Sequence, residues 1–286
     1  MEYYENVFDK YDRLEVDITA DDINGYQNNR NFNKIYNKLW LADKQDVSSG
    51  PIGTYPKKYP IIIKPIINLY GMSRGFKIIR NKKDYDKNQK DGFFWMPYLK
   101  GKNYTIDLVL NKGKIMGVYG MESKPSVSGT FEYHVYRPEY NLSDKNRKFI
   151  EKILKKYTGP VNIEIINDII IEGHLRFNGD MYIYHDKFFT ELDRMQKGKK
   201  KYDLLVKKEK FYLFPYFVKR GFNKKLLNKE KIEKILMENN VDNIRWDSIN
   251  DEFQGHEFKR LFMIKTDKLK TGKKNLNLID NLLKKK

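Results

Sequence analysis

Pro160-Val-Asn162-Ile-Glu164-Ile-Ile-Asn167-Asp168-Ile-Ile-Ile-Glu172-Gly-His174-Leu-Arg176-Phe-Asn178 is the stretch from which the rest of the chain is read. Taken every second residue, one set of positions is Val161, Ile163 and Ile165, then Ile171, Leu175 and Phe177. The other set is Asn162, Glu164, Glu172, His174 and Arg176. Period two with one greasy and one charged face, β-branched residues in both arms and Asn167-Asp168 between them predict a β-hairpin. A two-residue turn would put the glutamates on opposite faces. A three-residue loop, Asn167 to Ile169, would set Glu164 across from Glu172 and Asn162 across from His174. Like charges facing across strands are unfavourable unless a cation sits between them, and hard carboxylate oxygens suit Mg2+ or Mn2+ with the phosphates of a nucleotide. Arg176, on the same face, would then meet a phosphate in fork geometry. The competing reading is the solvated outer face of an ordinary hairpin.

Working outward, 286 residues suffice for one large or two modest domains with a proper core. Apolar content of 40% with 14% aromatics is that of a globular chain. No apolar run approaches a membrane span, and Met1-Glu-Tyr-Tyr-Glu has neither a basic nor an apolar leader region, so a soluble, cytoplasmic protein is expected. The absence of cysteine excludes disulfides, thiolate zinc sites and cysteine nucleophiles. The net charge of +18 invites a nucleic-acid reading. Lysine far outnumbers arginine, however, and sits among abundant Asn, Ile and Tyr. That composition reads as a lysine-studded solvated surface, because base-reading surfaces lean on arginine forks.

Ahead of the hairpin, the spacing of Phe32, Ile35, Leu39 and Leu41 predicts an amphipathic helix over 31–45, and a short element is expected around Leu14–Ile18. Tyr59-Pro-Ile-Ile-Ile-Lys64 reads as a buried strand closed by a lysine. Gly71-Met-Ser73-Arg-Gly75 then forms a small loop before a second strand, 76–80, that carries Lys77. Glycine lets backbone N–H groups approach phosphate oxygens, with Ser73, Lys64 and Lys77 as side-chain donors; a plain hairpin turn is the simpler alternative. Neither a Walker A nor a dinucleotide fingerprint is present. Met96-Pro97-Tyr-Leu99-Lys-Gly101 breaks the apolar run that begins at Gly92, and its proline suggests an edge strand or connector. A hairpin follows around Asn111-Lys-Gly113, with Asp107 on its first arm. Residues 120–141 read as loop-rich, and Ser143 should cap a helix that Gly159-Pro160 stops. Beyond the hairpin, a helix near 187–196 precedes the charged break Lys197-Gly-Lys-Lys-Lys201. Strands 210–218, 243–249 and 260–265 with helices 228–239 and 267–284 then suggest a small α+β unit. His134, His185 and His256 lack ligand spacing.

Lys64 at a strand end, a Gly-Ser-Gly loop, Lys77, the Met-Pro-Tyr-Leu-x-Gly connector and the Glu…Glu-x-His-x-Arg hairpin follow one another in an order that resembles the ATP-grasp superfamily, over about 31–186. The resemblance implies an α+β fold in which two subdomains clamp ATP, here 1–200 (lead-in 1–58, core 59–186), followed by the small unit 201–286. It implies that Lys64 and Lys77 hold phosphates and that Gly71, Ser73 and Gly75 close over them. The Pro97 carbonyl and Leu99 N–H would read adenine beside Met96. Glu164 and Glu172 would bind Mg2+ or Mn2+, with His174 standing where the family usually has asparagine, and Arg176 and Lys77 would act in the chemistry. The expected activity is a carboxylate–amine ligase whose acyl phosphate passes to an amine on a small-molecule or peptide substrate. Family members commonly carry a full domain ahead of the grasp, whereas about sixty residues precede Lys64 here. The competing readings are a basic nucleic-acid-associated protein and a grasp-fold kinase or inactive ATP-binding protein.

Overall fold

The computed structural model describes residues 21–70, 75–126, 130–180, 186–199, 208–247 and 258–284. The expected element around Leu14–Ile18, the loop residues Gly71 and Ser73, and His185 and His256 lie outside them. Two antiparallel sheets organise the chain: a small one in the order β1-β4-β2-β3 and a large one in the order β11-β12-β10-β7-β6-β5-β8-β9. Among the described residues no helix is long and apolar enough to cross a membrane.

The lead-in comprises α1 (Asp22–Asn28), a 3-10 turn (Asn33–Tyr36) and α2 (Lys38–Asp43). One continuous helix is therefore not formed over 31–45. Asn37 leaves the helical region at φ −82, ψ 99, and its side chain accepts from Trp40 N–H at 2.8 Å, so it caps a new helix instead of extending the old one. The small sheet follows: β1 (Gly50–Pro51), β2 (Ile61–Pro65), β3 (Lys77–Ile79) and β4 (Phe93–Pro97), with the short helix α3 (Lys82–Asp86) between the last two. β4 is internal to this sheet, and Pro97 sits at its last residue, where the missing N–H costs the ladder nothing.

The large sheet starts with β5 (Asn103–Asn111) and β6 (Lys114–Pro125), joined at Lys112-Gly113 with φ +50 and +82, and continues into β7 (Phe131–Tyr136). The stretch read as loop-rich is thus largely strand. Its alternation is hidden because β6 pairs on both sides and carries polar residues such as Ser123 on a covered face. Ser143 caps α4 (Asp144–Ile153) as expected, while Gly159-Pro160 opens β8 (Gly159–Ile166).

β8 and β9 (Ile169–His174) are the hairpin. Its turn has only two residues, Asn167 and Asp168, at φ +49 and +62, as a type I′ turn requires. The ladder then slips by one residue. Ile165 pairs with Ile170 but Glu164 pairs with Glu172, leaving Ile171 as a bulge that restores the facing register a two-residue turn would have lost. Ile170 therefore joins the main core in place of Ile171, which turns toward Ala42, Ile62, Phe94 and Met96 beneath the small sheet. The open edge of β9 is closed by one side chain. Gln45 accepts from Ile170 N–H at 2.8 Å and donates to Ile170 O at 2.8 Å, mimicking a neighbouring strand.

Helix α5 (Asp186–Gln196) follows, and beyond it come β10 (Phe211–Lys219), α6 (Lys229–Glu238), β11 (Asn243–Trp246), β12 (Phe258–Thr266) and α7 (Leu269–Lys284). These C-terminal elements have their own core around Phe214, Phe262, Ile232 and Ile279. They nevertheless extend the same sheet, because β10 pairs with β7 from Phe211 opposite Tyr136.

Candidate functional site

Register assembles the site. On one face of the large sheet, Glu172 lies opposite Glu164, and Glu164 opposite Thr105. His174 lies opposite Asn162, and Asn162 opposite Asp107. The other face carries Val161, Ile163, Ile165, Ile106 and Leu108 into the core under α4. Gly173 holds this arrangement close to the lead-in: a Cβ there would stand 2.5 Å from Ile35 Cγ1.

The small sheet presents Lys64. Its chain is 5% exposed, and its ammonium lies 3.0 Å from Ile171 O and 3.5 Å from Glu172 Oε1. Lys38, the first residue of α2 and 4% exposed, places its own ammonium 3.2 Å from the same oxygen. Burial pushes the Lys64 ammonium down, against the pull of Glu172. Burial also opposes the Glu172 charge, yet Lys38, Lys64 and His174 outweigh it and hold that carboxyl well below its usual range. Glu164 goes the other way. Half-buried, within reach of negative Glu172 and with no ion pair to any described residue, its carboxyl is pushed up by burial first and by Glu172 second.

A ladder of alternating charge continues from Glu172. His174 Nε2 is 3.6 Å from Glu172 Oε2, and His174 Nδ1 is 2.9 Å from Asp22 Oδ1. Asp22 in turn takes Arg176 side-on, through Nε at 2.7 Å and Nη2 at 3.1 Å, while Arg176 Nη1 donates to Phe177 O at 3.1 Å. Burial opposes the charge on His174, but Asp22 prevails and raises its pKa, favouring an imidazolium whose two N–H groups face two carboxylates. Asp22 is held far below the usual carboxylate range despite burial, by His174 first and then Arg176.

The structure brings Lys64, Glu164, Glu172, His174 and Arg176 together where the hairpin meets the small sheet. Both ring nitrogens of His174 face carboxylates, Nδ1 that of Asp22 and Nε2 that of Glu172. Arg176 forks Asp22 instead of reaching toward Glu172. Lys77 is not brought in: it pairs with Ile63, on the opposite face of the small sheet from Lys64, and donates to Asn88 Oδ1 at 2.7 Å. Met96 is buried beside Ile62 and Phe94 on the Lys64 face. Tyr98 N–H closes on Pro60 O at 3.1 Å, which by strand alternation turns the Pro97 carbonyl away from β2; among the described residues none accepts from Leu99 N–H. Gly75 has φ +71 and lies against the Phe93 ring, a conformation open to glycine.

Sequence reading missed Lys38 and Asp22. Lys38 had a signal, a lysine just after the capping Asn37 and ahead of the apolar run Leu39–Ala42; Asp22 had none, since only the fold brings it across 154 residues to Arg176. Asp107, fully buried, accepts from Asn162 Nδ2 at 2.8 Å and from Asn178 N–H at 3.0 Å, fixing the chain that leaves the hairpin. Among the described residues no group of three or more His, Asp or Glu is arranged to hold a metal ion. The acidic pair alone is a different case, because Mg2+ commonly takes one or two carboxylates and completes its shell with phosphate oxygens and water. Glu164 supplies a hard oxygen donor with a raised pKa that a cation would relieve, so the residues present fit a phosphate-borne divalent ion.

No protein-family model matches the sequence, and no curated protein matches it. Solved structures do. The carboxyaminoimidazole ribonucleotide synthase of Aspergillus clavatus, complexed with ATP, superposes with a TM-score of 0.60 over 91% of this chain and 75% of its own, at 11% identity. The L-amino acid ligase of Bacillus licheniformis gives 0.56 over 89% and 71%, at 12% identity. The biotin carboxylase domain of Hydrogenobacter thermophilus 2-oxoglutarate carboxylase, in complex with MgADP and bicarbonate, gives 0.54 over 81% and 62%, at 11% identity. The chain has the ATP-grasp fold, an α+β architecture, in a highly divergent sequence.

Proposed function

We propose that the chain is an ATP- and Mg2+-dependent ligase that activates a carboxylate as an acyl phosphate for attack by an amine or similar nucleophile. The observation that carries this reading is the meeting of Lys64 and Lys38 with Glu172, which sets two buried cations and an acidic pair at the junction of the two sheets. In the proposal Lys64 and Lys38, in place of Lys77, turn from Glu172 to the phosphates of ATP. Ile62 and Met96 floor the adenine, and the Pro97 carbonyl and Leu99 N–H read its edge. Gly71, Ser73 and Gly75 remain the proposed cover over the phosphates. Glu164 and Glu172 hold the divalent ion, which when bound neutralises charge on the phosphate oxygens.

The acid's carboxylate oxygen attacks the γ-phosphorus and ADP leaves; the amine then attacks the acyl carbon, phosphate departs and the amine gives up a proton. The protein supplies alignment, charge and exclusion of water, so no side-chain nucleophile is needed. Small-molecule or peptide acids and amines are the proposed substrates. Calorimetry with Mg2+ and a non-hydrolysable ATP analogue is expected to show binding that weakens at least tenfold in Lys64→Ala and Lys38→Met, about 1.4 kcal/mol per factor of ten. ADP, phosphate and a new amide are the expected products. A phosphorylated alcohol would indicate a kinase, and steeply salt-dependent nucleic-acid binding indifferent to both substitutions would overturn the proposal.

A further inference from the structure

We infer that Asp22 is a latch on this site: helix α1 holds the Arg176 guanidinium on its own carboxylate and gives it up when the phosphates of a nucleotide arrive. This rests on the nucleotide reading above and adds its regulation. Every nitrogen of the guanidinium has a partner, Nε and Nη2 on the two oxygens of Asp22 and Nη1 on Phe177 O. These contacts use three of its five N–H groups, and the side-on Nε–Nη2 fork reaches a phosphate only by leaving Asp22. The side-on carboxylate fork is the geometry in which a guanidinium also takes phosphate, so the two anions compete for one group.

The exchange leaves no bare charge behind. His174 Nδ1 stays 2.9 Å from Asp22 Oδ1 when Arg176 departs, so Asp22 keeps a cationic partner in its buried position. The helix that bears it is built to let go. α1 has seven residues, too few to be stable alone, and it exposes Ile23 and Asn24. It is held by the Asp22 contacts, by the close approach of Gly25 to Tyr36 Oη and Leu175 O, and by Tyr26, which packs edge-on to Tyr36 at 5.4 Å. Asp22 comes from outside both sheets, so its engagement is adjustable without disturbing the register that sets Glu164 and Glu172.

A merely structural ion pair and a latch predict opposite signs. Affinity for the Mg2+-loaded ATP analogue is measured in the full chain as wild type, Asp22→Asn, Arg176→Ala and the double variant, with hydrogen exchange followed across 21–28. Asp22→Asn is expected to bind about tenfold tighter, with no gain in the Arg176→Ala background, and saturating nucleotide is expected to speed exchange in wild-type α1. Equal or weaker binding by a folded Asp22→Asn chain overturns the latch while leaving nucleotide binding intact. If that variant does not fold, unchanged exchange in α1 of the nucleotide-saturated wild type overturns it equally. Absence of nucleotide binding in both wild type and Asp22→Asn removes the nucleotide reading, and the latch with it.

Discussion

Replacing Glu172 by Gln tests whether the charges at the sheet junction are organised as described. At 3.2 and 3.5 Å from Lys38 and Lys64, the carboxylate gains about 5 kcal/mol of attraction from each at an effective dielectric near 20, before desolvation is subtracted. The two ammoniums repel each other, so this one carboxylate is what makes their joint burial tolerable. Removing the shared anion strands two cations that are each about 95% buried, a loss of roughly 3–5 kcal/mol. Lys38→Met instead relieves the lysine–lysine repulsion and leaves Glu172 with Lys64 and His174, so its cost is expected to stay within about 1.5 kcal/mol. Urea denaturation of the three proteins measures the difference, and a thermal scan should show Glu172→Gln melting roughly 6–15 °C lower. A Glu172→Gln chain as stable as wild type, or one less destabilised than Lys38→Met, would refute the charge arrangement.

His134, buried and hydrogen-bonded through Nδ1 to Ser123 Oγ at 2.8 Å, is pushed down by burial from 6.5 to about 4. The unfolded chain binds this proton more readily, so stability falls as pH drops from about 6.5 to 4, by about 3 kcal/mol; denaturation across that range should lose this share of its slope in His134→Gln. Asp168→Ala removes a turn residue at φ +62 and the acceptor for Ser143 Oγ at 2.6 Å and Asn146 Nδ2 at 2.7 Å, and is expected to cost about 2 kcal/mol by urea denaturation. In a Ser143→Ala background the cost should shrink, since one bond is already gone.

The elements that could be read from sequence are those whose signal is local. The hairpin declares itself through alternation and Asn-Asp, the β5–β6 turn through Lys112-Gly113, and α4 through the Ser143 cap, and each stands where its residues place it. Errors arise where tertiary partners overrule a local pattern. Asn37 splits the lead-in helix to cap α2, and β6 and β7 run through residues whose polarity mimics a loop because both neighbours are strands. The hairpin is the instructive case. Facing glutamates were foreseen with a three-residue loop, but the chain reaches the same register with a type I′ turn and a bulge, an option that alternation alone does not reveal.

Lys64, Glu164, Glu172 and Arg176, grouped by their order in the sequence, do lie near one another, because strand ends and hairpin faces are fixed by short-range geometry. Lys77 lies apart from that group, since which face of a three-residue edge strand a lysine occupies depends on pairing with Ile63. Sequence order also left the short lead-in without a task. The structure gives that segment two: Lys38 shares Glu172 with Lys64, and Asp22 holds His174 and Arg176. Lys38, Lys64, His174 and Arg176 thus share two internal carboxylates, Glu172 and Asp22, with which a triphosphate would have to exchange on the proposed reading. The lead-in is therefore part of the cluster's electrostatics, and on the proposed reading Lys38→Met should weaken binding of the ATP analogue as strongly as Lys64→Ala when both are measured by calorimetry.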